Sequence, residues 1–226
     1  MRGIVINMTE GFKDVVWQDE AKASVGSGMK LAELVAQCRD KGLSGLEFAV
    51  NIPGTVGGAV AMNAGAYGAE MKDVVEGVEV IGRKGVKGFL PKDKLEFSYR
   101  KAELPRHSAV TAVHMSFTAS TPDEVREKMR EFSEKRKASA KVQYPNAGSI
   151  FKNPEGFYAG RLIEEVGLKG ERIGQAQFSP VHANYIVNLG GAKAKDVLAL
   201  MALARDTVYS QKGIVLEPEI KVVGED

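Results

Sequence analysis

Apolar positions recur along the chain in a few clear rhythms. Leu31, Leu34, Val35 and Cys38 keep the spacing of one helical face, so residues 29–41 are predicted to form an amphipathic helix with Cys38 turned to the core. Val78 and Val80, then Val86 and Phe89, flank Gly82-Arg83-Lys84-Gly85 and predict a hairpin. Val113, Met115 and Phe117 alternate with His114 and Ser116, as in a half-buried strand. Thr121-Pro122-Asp123-Glu124 reads as a capping box with proline at the first helical position. It opens a helix to about Lys137 whose apolar stripe is Val125, Met129 and Phe132; the basic residues around it interleave with Glu127, Glu131 and Glu134 and read as a solvated face. Two further helices, over 159–166 and 194–211, stop at Gly167 and Gly213. Ile4, Val5 and Ile6 predict a strand at the very start, an abrupt opening that leads us to expect more chain upstream. Residues 214–223 predict a terminal strand with Leu216, Pro218, Ile220 and Val222 on one face and Glu217, Glu219 and Lys221 on the other. Pro218 makes it an edge strand or sets it beside a bulge.

Composition narrows the class. The 226 residues suffice for one large domain or two modest ones, and 44% hydrophobic with 27% charged residues is ordinary for a soluble globular protein. A net charge of +2 gives no global argument for nucleic acid or a membrane surface. One cysteine permits no intrachain disulfide and fits a reducing cytoplasm. The longest uncharged stretch, between Glu47 and Glu70, is broken by Asn51, Pro53, Asn63 and glycines, and so reads as structured loop rather than a membrane helix. His107, His114 and His182 lack companion ligand spacing, and no metal site is expected.

Three stretches depart from core-and-surface patterning. Asn51 to Gly68 (NIPGTVGGAVAMNAGAYG) removes side-chain bulk and exposes backbone N–H groups, as a loop approaching a phosphate or a flat ring would; tight turns would look the same. Tyr144 to Gly156 sets Ser149 after a glycine between proline-bounded turns, which favours an exposed hydroxyl on a rigid loop or a mere turn cap. Lys152 and Asn153 follow, offering a cation and an amide to an anion. Glu217 and Glu219 form either an acidic solvent-facing edge or part of a site.

Together these stretches resemble the UDP-N-acetylenolpyruvoylglucosamine reductases. GLEFAVNIPGTVGGAVAMNAGAYGAE is similar to the most distinctive segment of that family, and FSYRKAEL, AGSIFKNP, LIEEVGLKG and VLEPEIKVVG follow in the family's order. The resemblance implies an α+β protein: a flavin-binding domain of the vanillyl-alcohol-oxidase type over residues 1–139, a smaller α+β substrate domain over 140–211, and a terminal strand over 212–226 that returns to the cleft between them. It implies a cytoplasmic, monomeric enzyme of peptidoglycan synthesis. NADPH reduces bound FAD, and hydride then passes to UDP-N-acetylglucosamine enolpyruvate to give UDP-N-acetylmuramate. Onto this chain it carries Arg100 as the cation at the substrate carboxylate, Ser149 as the acid that protonates carbon, and Glu219 as a proton-bearing carboxyl hydrogen-bonded to the same carboxylate. Tyr99 is placed beside the site.

FAD contacts fall on Ile52, Pro53, Gly54, Thr55, Gly57, Gly58, Asn63, Gly65 and Tyr67. Contacts to the uridine diphosphate fall on Lys137, Asn153, Lys169, His182 and Asn184. With no insertion between Tyr99 and Thr121, the chain resembles the shorter subtype, which lacks a tyrosine-bearing loop over the substrate. Members begin with a glycine-rich loop holding the FAD pyrophosphate, which is expected to be missing ahead of Gly3-Ile4-Val5-Ile6. Gly26-Ser27-Gly28 is expected not to replace it, having no strand before it. The alternative is a non-catalytic remnant that binds a UDP-sugar and holds FAD weakly or not at all.

Overall fold

The computed structural model describes residues 4–139 and 142–224, apart from the side chains of 137–139. They fall into two compact units meeting at residues 135 and 136. Antiparallel sheets and helices mix in each, so the architecture is α+β.

The first unit is built on β1 (Val15–Trp17), β2 (Lys22–Gly26), helix α1 (Leu31–Asp40), helix α2 (Val56–Ala61), β3 (Val75–Gly82) and β4 (Lys87–Pro91). A small hairpin of β5 (Phe97–Ser98) and β6 (Lys101–Ala102), the long strand β7 (Ser108–Ser116) and helix α3 (Pro122–Ser139) complete it. Its main sheet runs β1-β2-β7-β3-β4, all pairs antiparallel. Register places Val25, Val113 and Val78 side by side on one face, each fully buried. Alternation puts His114 on the other face, where its Nε2 lies 2.9 Å from Glu79 and its ring meets Phe89 edge-on. Leu31, Leu34, Val35 and Cys38 of α1 cover the buried face, and burial pushes the Cys38 thiol up to about 12. The capping box at Thr121 forms in both directions, Glu124 N donating to Thr121 Oγ1 and Thr121 N to Glu124 Oε2, each 3.2 Å.

Under α3, Glu47 is 3% exposed. Its carboxylate accepts from Ser44 Oγ (2.6 Å) and Gly45 N (2.8 Å), with Lys128 Nζ at 3.5 Å. Burial pushes its pKa up, but these donors outweigh that and hold it below 4.5. A depressed carboxylate stabilises the fold above its unfolded pKa and loses that effect as pH falls through the folded one. Glu47→Gln should therefore lower stability by about 1.5–3 kcal/mol at neutral pH, the range for hydrogen bonds to charged groups. Denaturant titration should show the gap closing at acid pH.

The second unit holds β8 (Asn146–Ser149), helix α4 (Ala159–Glu165), β9 (Arg172–Ile173), β10 (Ala176–Phe178), β11 (Tyr185–Asn188) and helix α5 (Ala194–Lys212). Its antiparallel sheet runs β8-β11-β10-β9. Leu200, Met201, Ala204 and Val208 of α5 pack with Ile163 and Phe178 in its core. Gly167 follows α4 and Gly213 caps α5, as the sequence predicts.

Three expectations are corrected. Ile4 to Ile6 form no strand and are 71–93% exposed, because none of the described strands pairs with them. Residues 214–223 are not a strand but an extended segment with a single bridge, Phe151 to Pro218. Leu216 is fully buried and Ile220 packs on the core, yet Val222 is 61% exposed, so the alternation fails at its end. The bridge suits proline, since the flanking bonds, Lys152 N to Glu217 O and Glu219 N to Ile150 O (both 2.8 Å), need no N–H from Pro218. Finally, β2 does precede Gly26-Ser27-Gly28. Their three amides are taken up by Asp14, Thr111 and Phe12 carbonyls, so this turn offers no phosphate cradle.

Candidate active site

Between α1 and α2 the chain crosses the glycine-rich segment. Ile52 is half-buried, while Pro53, Gly54 and Gly58 are exposed. Gly54 adopts φ 119°, closed to other residues, with nothing within 4 Å of where a Cβ would stand. The amides of Val56 and Gly57 bond to Met29 and Ser27 carbonyls, and Gly58 N donates to Thr55 Oγ1, which caps α2. Among the described residues the amides of Gly54 and Thr55 have no protein partner. Directly beneath, Ser27 Oγ is buried and unpartnered, and Gly57 packs so closely that a Cβ there would lie 2.7 Å from Ser27 Cβ. Two open amides and absent side-chain bulk fit a phosphate or ring edge at Pro53 to Gly58.

Asn63 does not belong to that surface. It is fully buried: Nδ2 donates to Glu70 Oε2 (2.9 Å) and the Ser98 carbonyl (3.1 Å), and Oδ1 accepts from Lys72 N (3.0 Å). The expected FAD contact at Asn63 is corrected to a structural bond, because no ligand reaches a side chain without exposed surface. Gly57, also buried, acts through close packing. The Gly65 carbonyl accepts from Arg100 Nη1 at 3.1 Å. Tyr67 stacks on Phe132 of α3 with centroids 4.4 Å apart and donates its hydroxyl to the Phe132 carbonyl. Nearby, a cavity of about 290 Å³ is lined by Ser44, Glu47, Tyr67, Lys128 and Phe132 among others, and does not include Arg100.

Arg100 and the exposed Tyr99 form the turn of the β5–β6 hairpin. Arg100 takes φ 59°, left-handed backbone that costs a non-glycine residue roughly 1–2 kcal/mol. Of the six described non-glycine residues with positive φ, Asn51, Asn63, Tyr67 and Arg100 lie in this segment or hairpin. Strain gathers where function needs a fixed backbone.

In the second unit, Ser149 ends β8 opposite Tyr185 of β11, so it sits on a strand and not on the expected loop. It is half-buried, and its side-chain oxygen has no protein partner among the described residues. Because Glu219 N bonds to the Ile150 carbonyl, the half-buried Glu219 lies one pairing step from Ser149. Glu217 points its carboxylate to Lys152 Nζ (2.5 Å), which neutralises the cation expected for an anionic ligand.

The residues expected at the diphosphate divide. Lys169 and His182 lie close together with Glu164, which pairs with Lys169 at 2.8 Å. Asn153 is exposed and its Oδ1 accepts from Ala159 N, fixing the start of α4. Asn184 is corrected to the scaffold: it is 3% exposed, and its amide clasps both Phe151 N (3.0 Å) and Phe151 O (2.8 Å). The side chain of Lys137 lies outside the described residues. Among the described residues no group of three His, Cys, Asp or Glu could hold a metal, and no helix is long and apolar enough to cross a membrane.

His182 stacks on Tyr185 at 4.6 Å, and its buried Nδ1 has no partner. Burial first, and Lys169 in the same direction, hold the imidazole pKa below 6.5 against a backbone hydrogen bond and Glu164. The unfolded chain therefore takes up this proton first, so stability is intact above 6.5 and declines as pH falls toward the folded pKa. Melting curves should show the parent losing more than His182→Phe, which keeps the stacking, over that interval.

Residues 140–223 match the family described as UDP-N-acetylenolpyruvoylglucosamine reductase, C-terminal domain, and residues 1–86 match the FAD binding domain family. UDP-N-acetylenolpyruvoylglucosamine reductase 2 of Symbiobacterium thermophilum is 46% identical over 225 residues, covering 99% of this chain and 73% of that protein. The reductase of Anaeromyxobacter sp. Fw109-5 is 44% identical, covering 100% and 70%. The crystal structure of UDP-N-acetylenolpyruvylglucosamine reductase from Thermus caldophilus superposes with TM-score 0.79 at 42% identity, over 91% of this chain and 73% of that one. With relatives more than 40% identical covered over 70% or more of their length, the chain belongs to the UDP-N-acetylenolpyruvoylglucosamine reductase family.

Proposed function

We propose that this chain reduces the enolpyruvyl ether of UDP-N-acetylglucosamine enolpyruvate to the lactyl ether of UDP-N-acetylmuramate, a cytoplasmic step toward peptidoglycan, with NADPH as donor. Pro53, Gly54, Thr55 and Gly58 would hold FAD, which would supply the hydride for the substrate β-carbon, drawn from NADPH. An enol ether is a poor hydride acceptor unless the adjacent carboxylate takes up charge, so the protein's task is to stabilise that charge. Arg100 offers the carboxylate a planar two-pronged donor that a lysine could not copy. Glu219 hydrogen-bonds the same group, and Ser149 donates the proton that completes the α-carbon. Lys169, His182 and Asn153 serve the uridine diphosphate. Residues 1–139 carry the flavin chemistry, 140–211 bind the substrate, and 212–226 supply Glu219.

The observation carrying this reading is the Ser149 hydroxyl, which no described residue engages, on the strand whose next residue, Ile150, takes the main-chain N–H of Glu219. A hydroxyl that the fold leaves unengaged is what proton delivery to the α-carbon requires. The test is the purified chain given FAD and then NADPH, with and without the enolpyruvyl substrate. Support is near-stoichiometric yellow flavin and NADPH oxidation that depends on substrate. A colourless chain that still binds UDP-N-acetylglucosamine would support the non-catalytic alternative and sink the reductase reading.

A further inference from the structure

We infer that Asn63 is a positioning residue for Arg100, joining the glycine-rich segment to the arginine hairpin so that the guanidinium is held ready for a carboxylate. This rests on the role proposed above for Arg100. The argument begins with the weakness of the hairpin itself. Strands β5 and β6 have two residues each, too few to stand alone. Their turn forces Arg100 into φ 59°, which further disfavours it. Something outside the hairpin must fix it.

Two bonds do so from one place. Asn63 Nδ2 donates to the Ser98 carbonyl at 3.1 Å, one residue before the Tyr99-Arg100 turn, and Arg100 Nη1 donates to the Gly65 carbonyl at 3.1 Å. Asn63 is anchored in turn by Glu70 and the Lys72 amide, and Glu70 pairs with Lys72 at 2.7 Å. Asn63 is fully buried at φ 39°, so the amide bonds in low dielectric, without competing water. An asparagine is required here, because the position needs one acceptor for Lys72 N and two donors, for Glu70 and Ser98. Aspartate would keep the first and lose both others.

The test reads the gain in affinity from the enolpyruvyl group, as the ratio of calorimetric dissociation constants for UDP-N-acetylglucosamine and its enolpyruvyl ether on the full chain. No turnover is needed. Arg100→Ala should cut this ratio by about 10- to 100-fold, the span for a charged hydrogen-bonded contact. Asn63→Ala should cut it by a comparable factor while leaving the affinity for UDP-N-acetylglucosamine within about twofold, and the two changes together should be markedly less than additive. Asn63→Asp combined with Glu70→Gln restores the bond between those two positions but sets a carboxylate against the Ser98 carbonyl. It should recover most of the thermal stability and still lack the enolpyruvyl gain, which a purely structural role would restore. This double variant decides the matter if Asn63→Ala fails to fold. Full affinity gain in the double variant, with Arg100→Ala still impaired, overturns the inference and leaves the function standing. An unchanged ratio in Arg100→Ala overturns the role of Arg100 itself.

Discussion

Ser149→Ala should slow transfer to the enolpyruvyl substrate by about 10²–10⁴-fold, the usual contribution of a positioned general acid. NADPH reduction of the bound flavin should run at the parent rate. The selectivity follows from where the hydroxyl sits. Ser149 holds its strand through backbone pairing with Tyr185, and no described residue bonds its side-chain oxygen. Removing the oxygen therefore breaks nothing in the fold, and stability should stay within about 0.5 kcal/mol. What is lost is the proton for the α-carbon, needed in the second half-reaction alone. Stopped-flow flavin absorbance separates the halves. Equal slowing of both would remove Ser149 from the acid role.

Glu219→Ala should lower the same half-reaction by about 10²–10³-fold, as for the loss of one preorganised donor at developing charge. Its main-chain bond to Ile150 and the burial of Leu216 upstream do not involve the Glu219 side chain. Glu219→Gln should fall between parent and Ala, because an amide still donates a hydrogen bond to the substrate carboxylate but cannot carry the acid proton. A Gln variant as active as the parent would mean that the carboxyl contributes shape alone.

How much of this was legible in the sequence depended on length and period. The helices announced themselves, since α1, α3 and α5 each repeat their apolar face over ten or more residues. The hairpin of β3 and β4 was legible too, from Val78 and Val80 on one side and Val86 and Phe89 on the other of a glycine-bounded turn. Strands of two to five residues, such as β2 and β9 to β11, are too short to give a period. The terminal segment failed in the opposite sense. Its alternation in sequence holds in the structure only as far as Ile220, and the neighbouring chain, Ile150 to Lys152, offers only one bridging position.

At the site, residue types were readable and roles less so. Ser149 and Glu219 are seventy positions apart in sequence, so only folding reveals that they are neighbours. Asn63 looked like a cofactor contact because glycines surround it, and its actual partners Ser98 and Glu70 come from tertiary packing. Arginine in left-handed backbone leaves no trace in a sequence at all, yet it is the strongest local sign that the Tyr99-Arg100 turn serves function. Glu47 was visible only as the end of an uncharged run, and its network with Ser44, Gly45 and Lys128 needed the fold.

The most direct test of the central claim is an anaerobic single turnover. The chain, loaded with FAD and reduced by one equivalent of NADPH, is mixed with UDP-N-acetylglucosamine enolpyruvate while flavin absorbance is followed. The account predicts full return of oxidised flavin with an equal amount of UDP-N-acetylmuramate, and no return with UDP-N-acetylglucosamine. Flavin that stays reduced in the presence of bound enolpyruvyl substrate would contradict it.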